Sequence, residues 1–314
     1  MWRRLALISC AAAGTIAFGA LVPRIRSNGF HPTVSMNPPA AAATQRRYPQ
    51  VPADAVQAAE QLARLEAALR DPATDPQRLP DLGHQQQVIY RVLSKDPARS
   101  AAVLAALPMR WRSVAERHLA ARREFLRMAR GRGPTTLPAW RIIQPEPAEQ
   151  LLSYYRKAEA STGIPWEVLA AVNLVETGMG RIDGVSVANA QGPMQFLPTT
   201  WAEPGIGRDG DIRDPWDSIH AAARYLVRRG GLQNIRTGLW GYNNSDHYGE
   251  AVLRYAALMD RAPLAYRGLY HWQIHYASAE GDLWLHEGYS RPAPINARQH
   301  VREFPHSKPP STLP

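Results

Sequence analysis

Apolar side chains recur at helical spacing through residues 53–130, and no run in this segment alternates with the period of two that marks a strand. Leu62, Leu65 and Leu69 lie on one face of the first helix, for which Asp54 is the predicted N-cap. Further stripes of the same kind occupy 88–93, 103–107 and 114–126. The pattern predicts an accessory helical region whose leucines and valines form a core.

A second helical segment follows a break rich in glycine and proline at 131–138. Its clearest element is the almost wholly apolar stretch 164–176, which begins after Gly163 and ends before Gly178. Glycine at this position is typical of a helix end, because it adopts the left-handed conformation without strain. The stretch is apolar on all sides, so we expect a helix that is buried all round.

The remaining pattern is also helical. Asp214 followed by proline is a strong helix start, and an amphipathic stripe over 248–259 predicts the last helix. The chain is therefore predicted to be mainly α, with a helical unit at 53–130 and a second unit at 140–290. The Pro-rich segment 291–314 is predicted to be a disordered tail.

The N-terminus has the composition of a targeting segment. Two arginines precede an apolar run of 18 residues at 5–22, so residues 1–27 are predicted to be a signal peptide or a membrane anchor. Cys10, the single cysteine, lies in this run, and the short apolar stretch before it does not favour lipidation. Residues 28–52, rich in proline and alanine, are predicted to be a linker. The bulk of the protein is then exported to the cell envelope or beyond it, either free or anchored in the plasma membrane.

The chain of 314 residues carries a formal charge of +10, mostly from arginines that are spread along it rather than grouped. Such a charge favours contact with a polyanion: a nucleic acid, an anionic lipid or an acidic cell wall. The chain lacks zinc-finger, basic-zipper and RNP-type signatures, which argues against nucleic acid. Its histidines show no metal-ligand spacing, so we expect no metal and no cofactor.

The candidate for chemistry is Glu176, a lone carboxyl group at the end of the apolar stretch. Burial disfavours the charged form of a carboxyl group and raises its pKa, which keeps the group protonated for general-acid work near neutral pH. Ten residues later begins the loop 186–195, in which Asn189 and Gly192 allow the backbone to pack closely around a ligand. Further on, Tyr242 with its neighbouring asparagine offers a hydroxyl and an amide that suit a carboxyl group and sugar hydroxyls.

These motifs carry a resemblance to a known family. The pattern S-x-x-x-A-x-G-x-M-Q at 186–195, followed by Tyr242-Asn243, resembles the catalytic domain of soluble lytic transglycosylases, which are lysozyme-like enzymes acting on peptidoglycan. The patterns at 175–181 and 210–219 look more like the membrane-bound lytic transglycosylase B group. The combination resembles lytic transglycosylase domain proteins that are common in actinobacteria.

The resemblance covers roughly 140–290 and implies a lysozyme-like catalytic domain of the goose-type or soluble lytic transglycosylase kind. It implies that Glu176 is the single general acid/base and that Tyr242 contacts this glutamate. The residues that it implies for substrate binding are Ser186, Met194, Gln195, Tyr242 and Asn243.

Two positions depart from the family pattern without arguing against activity. Asn189 replaces a usual glycine but can adopt the same backbone conformation, and Thr177 replaces a serine but keeps the hydroxyl. In this family the glutamate protonates the glycosidic oxygen, the substrate's N-acetyl group assists, and a 1,6-anhydro sugar forms without water. The implied substrate is therefore the peptidoglycan glycan strand, cleaved at the MurNAc–GlcNAc β-1,4 bond by a protein that we expect to be a monomer.

Two alternative functions stay open at this stage. A hydrolytic muramidase needs a positioned water and usually a second carboxylate, for which Asp183 and Asp209 are available in loops. A non-catalytic glycan-binding module would keep the cleft without turnover. A calcium loop around 209–217 is disfavoured because the full ligand pattern is missing and Asp214 is explained as a helix cap.

Overall fold

The structure, a computed structural model, describes residues 46–309 apart from positions 130 and 132. The predicted signal peptide or anchor at 1–27, and the predicted linker as far as residue 45, lie outside the described residues. Within the described part, no helix is both long and apolar enough to cross a bilayer. The described chain is mainly helical, which confirms the predicted fold class.

The accessory region forms four α-helices, joined by short turns. The side chain of Asp54 accepts a hydrogen bond from the Gln57 backbone at 2.8 Å, so the predicted cap of the first helix is confirmed. Leu62, Leu65 and Leu69 are buried on one face of this helix, as their spacing predicts. The four helices are α1 (Ala55–Arg70), α2 (Leu79–Leu93), α3 (Pro97–Ala106) and α4 (Met109–Met128).

The second segment contributes the remaining helices of the described chain, and its predicted starts and stops are largely confirmed. Asp214 caps its helix by accepting from the Asp217 backbone at 2.9 Å, and Gly178 ends the apolar helix at φ 62°. These helices are α5 (Ala148–Thr162), α6 (Trp166–Thr177), α7 (Pro198–Trp201), α8 (Pro215–Arg228), α9 (Ile235–Asn243), α10 (Asp246–Arg261), α11 (Ala265–Tyr270) and α12 (Ala297–Glu303).

The accessory helices pack directly on the second segment. Phe125 of α4 stacks on Tyr255 of α10 with ring centroids 6.3 Å apart, and His118 contacts the same tyrosine. One continuous hydrophobic core contains buried residues from both segments. The accessory region is thus part of the same packed body as α6 and α10.

Short strands, which the sequence did not predict, contribute to a second hydrophobic cluster that is separate from the main core. They pair antiparallel in twos: β1 (Thr136–Leu137) with β6 (Ile295–Asn296), β2 (Arg141–Ile142) with β3 (Ile182–Asp183), and β4 (Ile274–Ser278) with β5 (Gly281–Leu285). The sequence does not indicate the β4–β5 hairpin, because its residues are buried without a clear alternation along each strand. A strand that is covered on both faces does not show a period of two.

The prediction of a disordered tail from residue 291 is wrong for its described part. Residues 295–296 pair with β1, α12 follows, and Ala297 is fully buried. The last described residues of the predicted linker are also packed, since Tyr48 is buried beside His275. Proline content indicated flexibility here, but side-chain burial holds both segments against the fold.

Candidate functional site

Glu176 lies in the last turn of α6, at the centre of the second segment. Eleven of the twelve α6 residues are buried, and only 3% of the Glu176 surface is exposed. The helix ends at once after Thr177, because Gly178 adopts the left-handed conformation and its N–H closes the last turn. The sequence thus delivers a carboxyl group to the end of a helix whose surroundings are apolar.

The carboxyl group has one hydrogen-bond partner among the described residues. The Tyr248 hydroxyl donates to Glu176 Oε1 at 2.7 Å, while Oε2 accepts no hydrogen bond from this part of the chain. Burial raises the pKa of Glu176 to about 8, and the Tyr248 hydrogen bond opposes this rise. At neutral pH the group therefore holds a proton and has one oxygen unengaged, which is the state that a general acid needs.

Tyr248 is the site residue that the sequence reasoning missed. It lies in the first turn of α10, where its backbone N–H donates to the capping Ser245 Oγ at 3.3 Å. Its apolar ring fits the stripe of that amphipathic helix, so the spacing indicated a core residue. The sequence held no signal for its role, because its partner Glu176 lies 72 positions away and a buried tyrosine hydroxyl can meet any nearby acceptor.

The hydrogen bond expected between Tyr242 and Glu176 is not formed, although the two groups are close enough to interact electrostatically. The Tyr242 hydroxyl donates to the Met194 carbonyl oxygen at 2.7 Å, so it ties α9 to the 186–196 loop. The rings of Tyr242 and Tyr248 lie nearly parallel with centroids 6.4 Å apart, and Phe196 packs against Tyr242 on its edge. The two tyrosines therefore have different roles: Tyr242 holds the loop, and Tyr248 holds the Glu176 carboxyl group.

The 186–196 loop keeps its shape through its own polar groups. Ser186 Oγ accepts from the backbone of Ala190 at 3.0 Å, so this serine braces the loop from within. Asn189 has a φ of 67°, the conformation that its side chain tolerates. A Cβ at Gly192 would lie 1.8 Å from the Ile212 carbonyl oxygen, so glycine is required by close packing of two backbones.

Met194 and Gln195 take different positions in this loop. Met194 is fully buried and accepts a contact from Asn173 Nδ2 to its sulfur at 3.2 Å, so its side chain supports the loop from beneath. Gln195 has a φ of 50°, and its Nε2 donates to the Gly192 carbonyl at 2.9 Å. A glutamine in the left-handed backbone region is uncommon, and backbone strain of this kind often occurs in binding loops.

Asn243 follows Tyr242 at the end of α9. Only 6% of its surface is exposed, and its side-chain amide makes no hydrogen bond to the described residues. The amide is not among the fully buried polar groups that lack a partner, so its atoms reach the surface. Asn243 is therefore available to donate to, and accept from, a bound ligand.

The loop carboxylates that were considered as a second acid have other surroundings. Asp183 accepts from Arg141 Nε at 2.8 Å and lies 3.5 Å from Arg213, so this carboxylate is held by arginines at the surface. Asp209 is exposed. Burial and the Tyr248 hydrogen bond are the influences on the Glu176 pKa among the described residues, and neither aspartate contributes to it.

The aspartates of the 209–217 segment act as backbone braces. Asp217 Oδ2 accepts from the Asp211 N–H at 2.9 Å, and Asp214 caps α8. Across residues 46–309, as far as they are described, no group of three or more His, Cys, Asp or Glu side chains is arranged to hold a metal ion.

Two tryptophans of the described chain differ in exposure, which decides whether either could stack on a sugar face. Trp272 is buried and donates to Gln86 at 3.0 Å, which makes it a core residue. Trp240 is 52% exposed and lies three residues before Asn243 on α9, so the two share one side of this helix. Trp240 therefore presents an exposed aromatic ring close to Asn243.

All the site residues described above lie within one segment that matches a known domain family. Residues 153–255 match the family model described as the transglycosylase SLT domain. The match runs from within α5 to within α10, so it contains Glu176, the 186–196 loop and both tyrosines, while α1–α4 lie outside it. Searches of curated proteins and of solved structures returned no match.

Proposed function

We propose, from the premise that residues 153–255 are a transglycosylase SLT domain, that the protein is a lytic transglycosylase of peptidoglycan with Glu176 as its single acid and base. The domain match supports a lytic transglycosylase that acts on the cell wall. The mainly helical body is consistent with the lysozyme-like fold of this domain. The proposal adds the bond, which is the MurNAc–GlcNAc β-1,4 linkage, and the product, which is a 1,6-anhydro-MurNAc end.

The observation that carries the proposal is the protonated, singly hydrogen-bonded Glu176. Its Oε2 is the atom available to protonate the glycosidic oxygen, which leaves as the GlcNAc hydroxyl when the C1–O bond breaks. The N-acetyl group of the substrate assists at C1. The resulting carboxylate then takes the proton of the MurNAc O6 hydroxyl while the C1–O6 bond forms. The carboxyl group ends protonated again and no water is consumed.

The surroundings of Glu176 favour this route over hydrolysis. Glycosidases that use water or a covalent intermediate normally place a second carboxylate across the scissile bond. Asp183, the nearer candidate in the sequence, is engaged by two arginines instead. A substrate that supplies its own nucleophile removes the need for a second acid.

Three polar groups are proposed to bind the sugar. The Asn243 amide is unengaged among the described residues, and the Gln195 side chain and Ser186 lie in the adjoining loop. Tyr242 and Met194 are proposed to act indirectly, by fixing that loop through the hydroxyl–carbonyl hydrogen bond of 2.7 Å. The overall charge of +10 suits an anionic wall polymer.

Product analysis tests the proposal directly. We expect purified protein to release fragments ending in 1,6-anhydro-MurNAc from isolated peptidoglycan, as detected by mass spectrometry. A hydrolytic muramidase yields reducing ends instead, which are heavier by one water. Binding of peptidoglycan without release of fragments would identify a glycan-binding module.

Location is the second test of the proposed function. Residues 1–27 carry the predicted signal peptide or anchor, so a reporter fused after residue 60 is expected outside the cytoplasm. The matched control lacks residues 2–27 and should keep the reporter inside. A full-length fusion that stays in the cytoplasm contradicts a peptidoglycan substrate, because the protein would never meet it.

A further inference from the structure

A polar contact joins the accessory region to α10, the helix that carries Tyr248. Glu124 of α4 has a side chain that is 8% exposed, and its Oε2 lies 2.8 Å from His247 Nδ1. Its other oxygen accepts from Arg127 on the same helix. These neighbours hold the pKa of Glu124 below its usual range, although burial acts in the opposite direction. Glu124 is therefore a largely buried carboxylate with one partner on its own helix and one, His247, on α10.

His247 is the residue immediately before Tyr248. Both lie in the first turn of α10, and Ser245 caps that turn through the Tyr248 N–H. A helix start is the least constrained part of a helix, because its first N–H groups lack intrahelical partners. The contact with Glu124 thus acts on the turn that carries the Tyr248 hydroxyl to Glu176.

We propose that Glu124 and His247 are positioning residues that hold the start of α10, so that Tyr248 keeps the catalytic carboxyl group in place. The inference rests on the proposed function of Glu176. It extends the functional unit to α4, which lies outside the segment that matches the SLT family model. The accessory region then completes the active site as well as adding to the core.

Two polar contacts connect α4 to the catalytic carboxyl group through the first turn of α10. The Glu124–His247 contact of 2.8 Å fixes the first turn of α10, and the Tyr248–Glu176 hydrogen bond of 2.7 Å transmits that position to the acid. Phe125 and Tyr255 keep α4 and α10 together independently of the polar contact. Loss of His247 should therefore loosen the first turn without separating the helices.

Loosening the first turn of α10 should change the pKa of Glu176, which a purely structural role of His247 would leave unchanged. Tyr248 lowers the pKa of Glu176, and Tyr242 is the other tyrosine whose hydroxyl lies near this carboxyl group. A weaker Tyr248 contact lets the pKa of Glu176 rise further. Because the acid acts while protonated, the alkaline limb of kcat/KM then moves to higher pH.

The test compares His247→Ala with His247→Asn. Alanine removes the contact, whereas the amide of asparagine can donate to Glu124 from about the position of Nδ1. We expect the alanine variant to lose ~3- to 30-fold in kcat on peptidoglycan and to shift the alkaline limb upward. The asparagine variant should recover most of both. Arg254→Gln, which removes a surface ion pair with Glu250 further along α10, is the matched control and should change neither.

A double variant decides whether the effect passes through Tyr248. If it does, adding His247→Ala to Tyr248→Phe causes no further loss. Additive losses, or a lower kcat with an unmoved alkaline limb, overturn the proposal and leave His247 a structural role. If the protein fails to cleave peptidoglycan, NMR titration of the Glu176 carboxyl carbon still reads the coupling. An unchanged titration in His247→Ala then refutes it independently of the activity.

Discussion

Glu176→Gln is expected to abolish turnover while leaving the fold intact. The amide keeps the shape of the side chain but cannot donate a proton to the glycosidic oxygen, and loss of a general acid lowers rates by at least ~10². Release of fragments from peptidoglycan under saturating substrate is the measurement. Glu167→Gln is the control, because it makes the same chemical change on the same helix, at a half-buried position in the first turn. Wild-type turnover by Glu176→Gln would remove this residue from the catalytic role.

The same substitution is expected to stabilise the protein at neutral and alkaline pH. The folded pKa of Glu176 is about 8, against an ordinary value of 4.5. A raised pKa of a carboxyl group means that the folded state binds the proton more tightly. Wild-type stability from this group is thus complete below pH 4.5 and is lost as the pH rises towards and through 8. At pH 7 the glutamine variant should be more stable by roughly 3 kcal/mol, at about 1.36 kcal/mol per pKa unit.

Urea unfolding between pH 4 and pH 9 measures this difference. The wild-type free energy of unfolding should fall across the range, and the variant's curve should be flatter. The gap between the two should widen with pH and level off above pH 8. A parallel pair of curves contradicts a raised pKa for Glu176. A gain of stability together with a loss of activity is expected when a carboxyl group is buried for its function, because burial costs the folded state the hydration of the charged form.

The sequence was informative where a residue's surroundings are local. Glu176 was identified because the twelve residues before it are almost wholly apolar, and a helix that closes on such a residue must bury it. Gly178 and Asp214 mark helix ends through chemistry that acts within one turn. Predictions of this kind depend on a few neighbouring residues, so one sequence is enough.

The sequence was uninformative where a partner lies far along the chain. Tyr248 meets Glu176 across 72 positions, and His247 meets Glu124 across 123. In each case the residue fits its own helix equally well as a core or surface position. The family resemblance implies that Tyr242 contacts Glu176. However, Tyr242 and Tyr248 lie only six positions apart with parallel rings, and only the geometry shows which hydroxyl reaches the acid.

The hairpin and the tail show a second limit. Burial against distant residues holds the β4–β5 strands and α12 in place. The strands therefore lack the alternating pattern that would predict them, and α12 lies in a segment whose proline content predicts disorder. Arg291, which begins the predicted disordered tail, forms an ion pair of 3.1 Å with Glu303 at the end of α12. Composition describes what a segment prefers when free, whereas packing decides what it does in the fold.

The two tyrosines are separated by a pair of matched variants. Tyr248→Phe keeps the ring and removes the hydroxyl that holds Glu176 Oε1 at 2.7 Å, so the acid is free to rotate. Loss of one such hydrogen bond is worth ~1–3 kcal/mol, which corresponds to a fall in kcat of roughly 5- to 150-fold. The pKa of Glu176 should also rise, because this hydrogen bond lowers it, and the alkaline limb of kcat/KM should move to higher pH.

Tyr242→Phe is expected to act on the loop instead. It leaves the Met194 carbonyl without its 2.7 Å partner in a buried environment, so the free energy of unfolding should fall by ~1–3 kcal/mol. The alkaline limb of kcat/KM should stay in place, because the hydrogen bond from Tyr248 to Glu176 is intact. Any loss of activity should appear mainly in KM, because the loop is displaced. Measuring pH profiles and unfolding on both variants assigns the roles. If Tyr242→Phe shifts the alkaline limb and Tyr248→Phe does not, the family resemblance identified the acid's partner correctly and the geometry described above is wrong.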